Sequence, residues 1–262
     1  MDERLTIVKI GGKVIDNTAF LDAFLHDFAK VEGKKVLVHG GGKIADKVLD
    51  RMGIVPKMVD GRRITDRETL DIAVQVYAGL TNKTIVAKLQ AEGCQAIGLS
   101  GADLNIIRAV KRPVMTIDYG FAGDIEEVNT APLELFLYSS SIPVLCPITH
   151  DNMGQLLNTN ADTIAARTAI GFTKRYKVDL IYCFEIDGVM KDMDSGEIFP
   201  HLTPEIYHQA KETGQLSGGI LPKLDNAFDS ISKGVDNVVI CHHDALRDWS
   251  TKDFKGTILR QS

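Results

Sequence analysis

Two glycine-rich turns stand near the start of this sequence, each directly after an apolar run: Lys9-Ile10-Gly11-Gly12 and His39-Gly40-Gly41-Gly42. Consecutive glycines leave backbone N–H groups uncovered by side chains. Where a helix begins just beyond, those amides close around an anionic oxygen. Helices are predicted just beyond both turns. Two anion-accepting turns in one small α/β unit point to phosphoryl chemistry, and Lys9 supplies a counter-charge at the first. A third cluster, Ser217-Gly218-Gly219-Ile220-Leu221-Pro222-Lys223, lies toward the other end. Pro222 suits the first helical position, which places Lys223 in the first turn of a helix. A lysine there opposes the helix dipole, and a bound anion would offset that cost; a solvated lysine is the plain alternative.

Competing chemistries use similar glycines. GxxxxGK[ST] is absent, because Ile44 follows Gly42-Lys43, so this is not a P-loop. No GxGxxG follows the first strand either. An HGGG turn also forms oxyanion holes in α/β-hydrolases, and Gly98-Leu99-Ser100-Gly101-Ala102 resembles a nucleophile elbow with Ser100 as nucleophile. An elbow needs a helix straight after its serine, whereas Asp103–Val110 reads as extended, and Ala102 replaces the second glycine.

These turns need a sheet to hold them. The chain has 262 residues, 44% hydrophobic and 25% charged, enough for one large domain or two lobes. A net charge of −5 without a basic block argues against nucleic acid or an anionic membrane as partner. No signal-like stretch or membrane-length run is present, so a cytoplasmic location is expected. Cys94, Cys146, Cys183 and Cys241 form no CxxC pair and read as buried, reduced thiols.

Strands are predicted at Leu5–Ile10, Lys35–Val38, Gln95–Leu99, Pro143–Ile148, Leu180–Phe184, Asn237–Cys241 and Gly256–Arg260. Phe20, Phe24 and Phe28 with Leu21 and Leu25 mark one face of a helix. Ile44–Met52 reads as helical, and a Thr65/Glu68 capping box predicts a long helix from about Asp66 toward Gln90. Asn105–Asn129, broken by Pro113, Gly120 and Gly123, reads as hairpins decorating a sheet edge. Leu133–Tyr138, Ala161–Ile170 behind an Asn160 cap, Pro204–Glu212 and Leu224–Lys233 are further helices. Asp194-Ser195-Gly196 reads as a hairpin turn. The predicted fold is an open, mainly parallel α/β sheet with helices on both faces, in two lobes. Ligands then bind at the carboxyl ends of the strands, where both opening turns lie.

Together these segments resemble the amino acid kinase family nearly end to end. The resemblance rests on Lys9-Ile10-Gly11-Gly12, Val38-His39-Gly40-Gly41-Gly42, Asp60-Gly61-Arg62-Arg63-Ile64-Thr65, Asn158-Thr159-Asn160-Ala161-Asp162, Gly218 to Lys223 and Gly256-Thr257. GRRIT and NTNAD favour members acting on N-acylated glutamate over those acting on aspartate, uridylate or carbamate. The resemblance implies transfer of the ATP γ-phosphoryl group, with Mg²⁺, to a side-chain carboxylate, a step of arginine biosynthesis. It implies Lys9 and Lys223 on opposite sides of the phosphoryl group, Asp162 orienting both, and Gly11, Gly41 and Gly42 donating backbone N–H groups. Arg63 and Asn158 are implied to bind the acylglutamate, and Gly12, Glu185, Gly218 and Gly219 the nucleotide. Glu185 departs from the family, which commonly carries aspartate there. His39 is read as shaping its turn only. Residues 1–172 are expected to bind acylglutamate and dimerise, and 173–262 to bind ATP. Arginine-inhibited members carry an extra helix before the first strand, so an arginine-insensitive homodimer is expected here. The acyl group, acetyl or succinyl, stays open. The non-enzyme alternative is an amino-acid sensor on the same fold.

Overall fold

The computed structural model describes residues 3–59, 62–192 and 195–261. Asp60 and Gly61 of the GRRIT segment, and Asp194 of the expected hairpin turn, lie outside the described residues. Strands β1 (Arg4–Ile10) and β2 (Lys34–His39) are buried nearly throughout because both their faces are covered. Between them run α1 (Gly12–Asp16) and α2 (Thr18–Lys30). Asn17 caps α2 by accepting from the N–H groups of Ala19 and Phe20. The buried Lys35 ammonium closes the other end, donating to the carbonyls of Phe28, Ala29 and Val31. Leu21, Phe24, Leu25 and Phe28 face the sheet. Phe20 does not: it is 46% exposed and its ring lies 5.1 Å from that of His243.

Helix α3 (Gly42–Arg51) leaves the second glycine turn, and the ribbon β3 (Met58–Val59) and β4 (Arg62–Arg63) follows. The expected long helix is a continuous rod of α4 (Arg67–Val74), a π-helical segment (Gln75–Thr81) and α5 (Asn82–Ala91). Its cap is Asp66, which accepts from the N–H of Thr69 at 2.9 Å, and not the Thr65/Glu68 box. Thr65 is buried, with its backbone bonded to Tyr119 and Phe121, and so cannot turn toward the helix.

After β5 (Ala96–Leu99) a short 3₁₀ turn at Asp103–Asn105, with Leu104 and Asn105 at φ 51° and 54°, interrupts the extended run expected there. Then come β6 (Ile107–Lys111), β7 (Gly123–Val128), α6 (Ala131–Tyr138), β8 (Ile142–Leu145), β9 (Ile148–His150), β10 (Leu156–Asn158) and α7 (Ala161–Phe172). The second half supplies β11 (Lys177–Phe184), β12 (His201–Leu202), α8 (Pro204–Glu212), α9 (Leu221–Ser232), β13 (Asn237–His242) and β14 (Thr257–Leu259).

Eight strands form the main sheet in the order β12-β14-β13-β11-β1-β2-β8-β5, parallel throughout except between β13 and β14. The two halves of the chain therefore share one sheet, joined along β1 and β11. The predicted strand Pro143–Ile148 breaks at Cys146-Pro147 into β8 and β9, which belong to different sheets. The expected edge hairpins do not extend the main sheet. β6 and β7 instead join β9 and β10 in a separate four-stranded sheet.

Alternation along the central strands decides which side chains meet. Leu5 and Ile7 of β1 and Leu180 and Tyr182 of β11 face a core shared with α6, α7 and α9. Val8, Ile10, Ile181 and Cys183 face α2 and α5. Lys9 and Phe184 follow the first set, so both point toward the start of α7. Cys146, Cys183 and Cys241 are buried free thiols, and Cys94 is partly covered.

Candidate active site

In-register pairing of Ile10 with His39 sets the two glycine turns side by side at the carboxyl edge of the sheet. The turns differ in use. Gly12 and Gly42 are the first residues of α1 and α3, whose leading amides have no partner within the helix. Gly11 corrects the expectation of a phosphoryl donor: its N–H is committed to the carbonyl of Cys183 at 2.9 Å. A Cβ there would lie 3.3 Å from that oxygen, so glycine lets β1 and β11 close at this point. Gly41 has φ 150°, and a Cβ on it would meet the Tyr77 ring at 3.1 Å. Tyr77 sits on the π-helical segment, the kind of irregularity often found at functional sites.

His39 supports its own turn. Its Nδ1 lies 2.7 Å from the Gly40 carbonyl oxygen and its Nε2 lies 3.1 Å from Asn82 Nδ2. Asn82 can only donate through that nitrogen, so Nε2 accepts and Nδ1 carries the proton. Complete burial pushes the imidazole pKa down to about 4. His39 is thus neutral and bonded within its own turn and to Asn82.

Two lysines from distant segments converge on one ring, with Asp162 beside them. Lys9 Nζ forms an ion pair with Asp162 at 2.7 Å and stands 5.0 Å from the Phe184 ring centroid. Lys223 Nζ stands 4.2 Å from the same centroid. Asp162, Tyr182, Phe184 and Lys223 line one small cavity. Asn160 caps α7 through the N–H groups of Asp162 and Thr163, and Tyr182 donates to the Asp162 carbonyl at 3.3 Å, which fixes the acid in place. Lys223 is the third residue of α9, since Leu221 precedes Pro222 in the helix. Pro222 is therefore second rather than first.

Beside this cluster lies a cavity of about 210 Å³ lined by Gly40, Gly41, Gly42, Arg63, Asn158 and Arg112, among others. Arg63 is buried there, donating to Asp46 at 2.5 Å and to the Gly42 carbonyl at 3.2 Å. Burial opposes its charge, but the hydrogen bond to Asp46 and the influence of Tyr77 leave the guanidinium pKa above its usual value. Asn158 donates to Thr65 Oγ1 at 3.0 Å. Glu185 lies at the first turn, 3.8 Å from Lys13. Gly218 and Gly219 stand apart on an exposed 3₁₀ turn (Gly218–Ile220) that leads into α9, with nothing packed against them. Phe184, Tyr77, Asn82 and Asp46 were not foreseen; each acts through a partner far away in sequence, so no local pattern marks it.

Ser100 is not held as a hydrolase nucleophile. Its hydroxyl donates to Asp103 at 2.7 Å, and the chain continues into a 3₁₀ turn and a strand rather than a helix.

With this geometry, a model of the amino acid kinase family matches residues 4–242. The chain belongs to the amino acid kinase family. It is 48% identical to an acetylglutamate kinase of Phocaeicola vulgatus over 262 residues, all of both chains. To an acetylglutamate kinase of Bacteroides thetaiotaomicron it is 49% identical over 249 residues, 95% of this chain and 97% of that one. Among solved structures, an N-acetylglutamate synthase from Neisseria gonorrhoeae, complexed with coenzyme A and N-acetyl-glutamate, superposes with a TM-score of 0.84 at 22% identity. It covers all of this chain and 60% of that one, a likeness of fold. Among the described residues no helix is long and apolar enough to cross a membrane.

Proposed function

We propose that this chain is an ATP-dependent kinase that transfers the γ-phosphoryl group to the side-chain carboxylate of N-acetyl-L-glutamate or a close N-acyl-glutamate such as N-succinyl-L-glutamate, giving an acyl phosphate. One observation carries the reading: Lys9 and Lys223, from opposite halves of the chain, face one ring beside two helix-leading glycine turns. The acetylglutamate kinases similar over the full chain name the acceptor.

The acceptor carboxylate is ionised at neutral pH, so the reaction needs no general base. The difficulty is to bring two anions together and to stabilise the charge on the moving phosphoryl oxygens. Lys9 and Lys223 supply positive charge from two sides, and Asp162 keeps Lys9 aimed. Gly12, Gly41 and Gly42 offer backbone N–H groups, while Arg63 takes the α-carboxylate and Asn158 the acylamino group. The turn at Glu185, Gly218 and Gly219 belongs to the nucleotide side. Residues 1–172 thus hold the acceptor and 173–262 the nucleotide.

Asp162 and Glu185, the carboxylates beside the turns, are both engaged by lysines, at 2.7 and 3.8 Å. That arrangement fits Mg²⁺ held chiefly by the nucleotide's own phosphates rather than by a protein cage. The ion supplies charge neutralisation on those phosphates. A homodimer is the expected assembly, read by light scattering; a hexamer would overturn it.

The chemical test traps the product with hydroxylamine. ATP-dependent hydroxamate from N-acetyl-L-glutamate is expected, and none from any N-acylglutamate would leave only a ligand-binding role.

A further inference from the structure

The acceptor cavity is lined by a second arginine that the transfer reaction does not use. Arg112, directly after β6, lines the cavity together with Arg63. Asp124 of β7 fixes it: Arg112 Nε donates to the two carboxylate oxygens at 3.1 and 3.2 Å, and Nη2 donates to Oδ1 at 2.5 Å. The guanidinium carbon also lies 5.2 Å from the Tyr119 ring centroid. Its side chain is 19% exposed, and among the described residues Nη1 has no hydrogen-bond acceptor. A guanidinium has five N–H donors, so one carboxylate on its Nε edge leaves the Nη1 edge able to take another.

The charges of an N-acetylated glutamate are already matched without it. The reacting carboxylate belongs with the lysines and glycine turns, and the α-carboxylate with Arg63. What remains is a methyl group, which calls for an apolar wall. The remaining wall combines the apolar Met58, Ala122 and Pro147 with the charged Arg112. Covering a charged group with a methyl removes water from it and returns no hydrogen bond. A carboxylate at the end of a longer acyl chain returns a charge-assisted one.

We propose that Arg112 binds a terminal carboxylate on the acyl group. The preferred acceptor is then a glutamate N-acylated by a dicarboxylic acid, such as succinyl, which is two carbons longer than acetyl. This rests on the kinase reading of the same site. Arg112 acts as a specificity-determining residue, and Asp124 holds its fork in place.

The test measures hydroxamate formation by the whole protein with ATP and three acceptors: N-acetyl-, N-butyryl- and N-succinyl-L-glutamate. Succinyl is expected to exceed both others in kcat/KM by at least about tenfold, the scale of one hydrogen bond between charged groups. Arg112→Leu is expected to lower the succinyl-to-acetyl ratio by a similar factor, with Arg112→Lys between. The ratio is insensitive to loss of folded protein, since both acceptors report on the same preparation. Equal use of butyryl and succinyl would show that the cavity reads length and not charge, which overturns the proposal. So would a native preference for acetyl, or a succinyl preference that survives Arg112→Leu. In each of those outcomes the kinase reading stands. No hydroxamate from any acceptor removes the kinase reading itself.

Discussion

Replacing Phe184 by leucine tests whether the shared ring holds the two lysines in place. The ring faces Lys9 Nζ at 5.0 Å and Lys223 Nζ at 4.2 Å, so the two ammonium groups lie within about 9 Å of each other. At an effective dielectric near 20 their repulsion over that distance is roughly 2 kcal/mol. Asp162 offsets it at Lys9 through the 2.7 Å pair, but Lys223 has no ion pair among the described residues. The ring is therefore the main fixed attraction on Lys223. Each such cation–π contact contributes about 0.5–1 kcal/mol at a partly exposed site, so the substitution releases roughly 1–2 kcal/mol. Expressed wholly in the transfer step, that lowers kcat by about 5- to 30-fold. Steady-state hydroxamate assays under saturating ATP read kcat, and a thermal melt checks that the fold survives. Phe184→Tyr keeps the ring face and is expected near the native rate. A native kcat for Phe184→Leu would refute the reasoning, as would a loss confined to the melting temperature.

Other substitutions address the remaining parts. Lys223→Ala removes one of the two opposing charges and is expected to cost about 3–4 kcal/mol of transition-state stabilisation, several-hundred-fold in kcat, with little change in ATP affinity. An unchanged turnover would make the lysine a surface residue only. Gly41→Ala forces a side chain into φ 150° against the buried Tyr77 ring, at 3.1 Å. It should destabilise the fold by about 1–3 kcal/mol in urea melts, and an unchanged midpoint counts against the close packing. His39 links stability to pH. Its pKa, near 6.5 when unfolded, is about 4 in the fold, so the unfolded state binds more protons in between. The stabilisation is complete above the unfolded value and is lost as pH falls toward 4, by roughly 3 kcal/mol at most. Urea melts between about pH 7 and pH 4.5 should show that slope, and His39→Asn should flatten it; equal slopes would contradict the burial argument. Lys35→Met strips the donor from three carbonyls at the end of α2 and should cost about 2 kcal/mol by chemical denaturation. A smaller loss than about 0.5 kcal/mol would mean water replaces the ammonium there.

The glycine turns, the caps at Asn160 and the apolar central strands were legible in sequence because each depends on neighbours a few residues away. Backbone amides without side chains and a polar cap before an apolar run need no distant partner to be recognised. From such signals the parallel sheet and the two turns followed, whereas the opposition of Lys9 and Lys223 was implied only by the family resemblance. The misplacements arose where a distant partner overrode a local preference. Thr65 has the right spacing for a capping box, yet backbone bonds to Tyr119 and Phe121 hold it elsewhere and leave the cap to Asp66. Gly11 looked like one more free donor, but its amide belongs to Cys183, a residue that only the sheet brings alongside.

By itself, then, the sequence determined the fold class and the two glycine turns, because strand alternation and glycine freedom are local properties of the chain. The tertiary structure decided what those turns face. Register between β1 and β11 places Lys9 beside the Phe184 side of the sheet, and α9 brings Lys223 to the same ring. The separate sheet of β6, β7, β9 and β10 brings Arg112 into the cavity that holds Arg63. Interactions between side chains fall off within a few ångströms. Which charges share a site is therefore set by packing across long stretches of sequence, and no spacing along the chain encodes it.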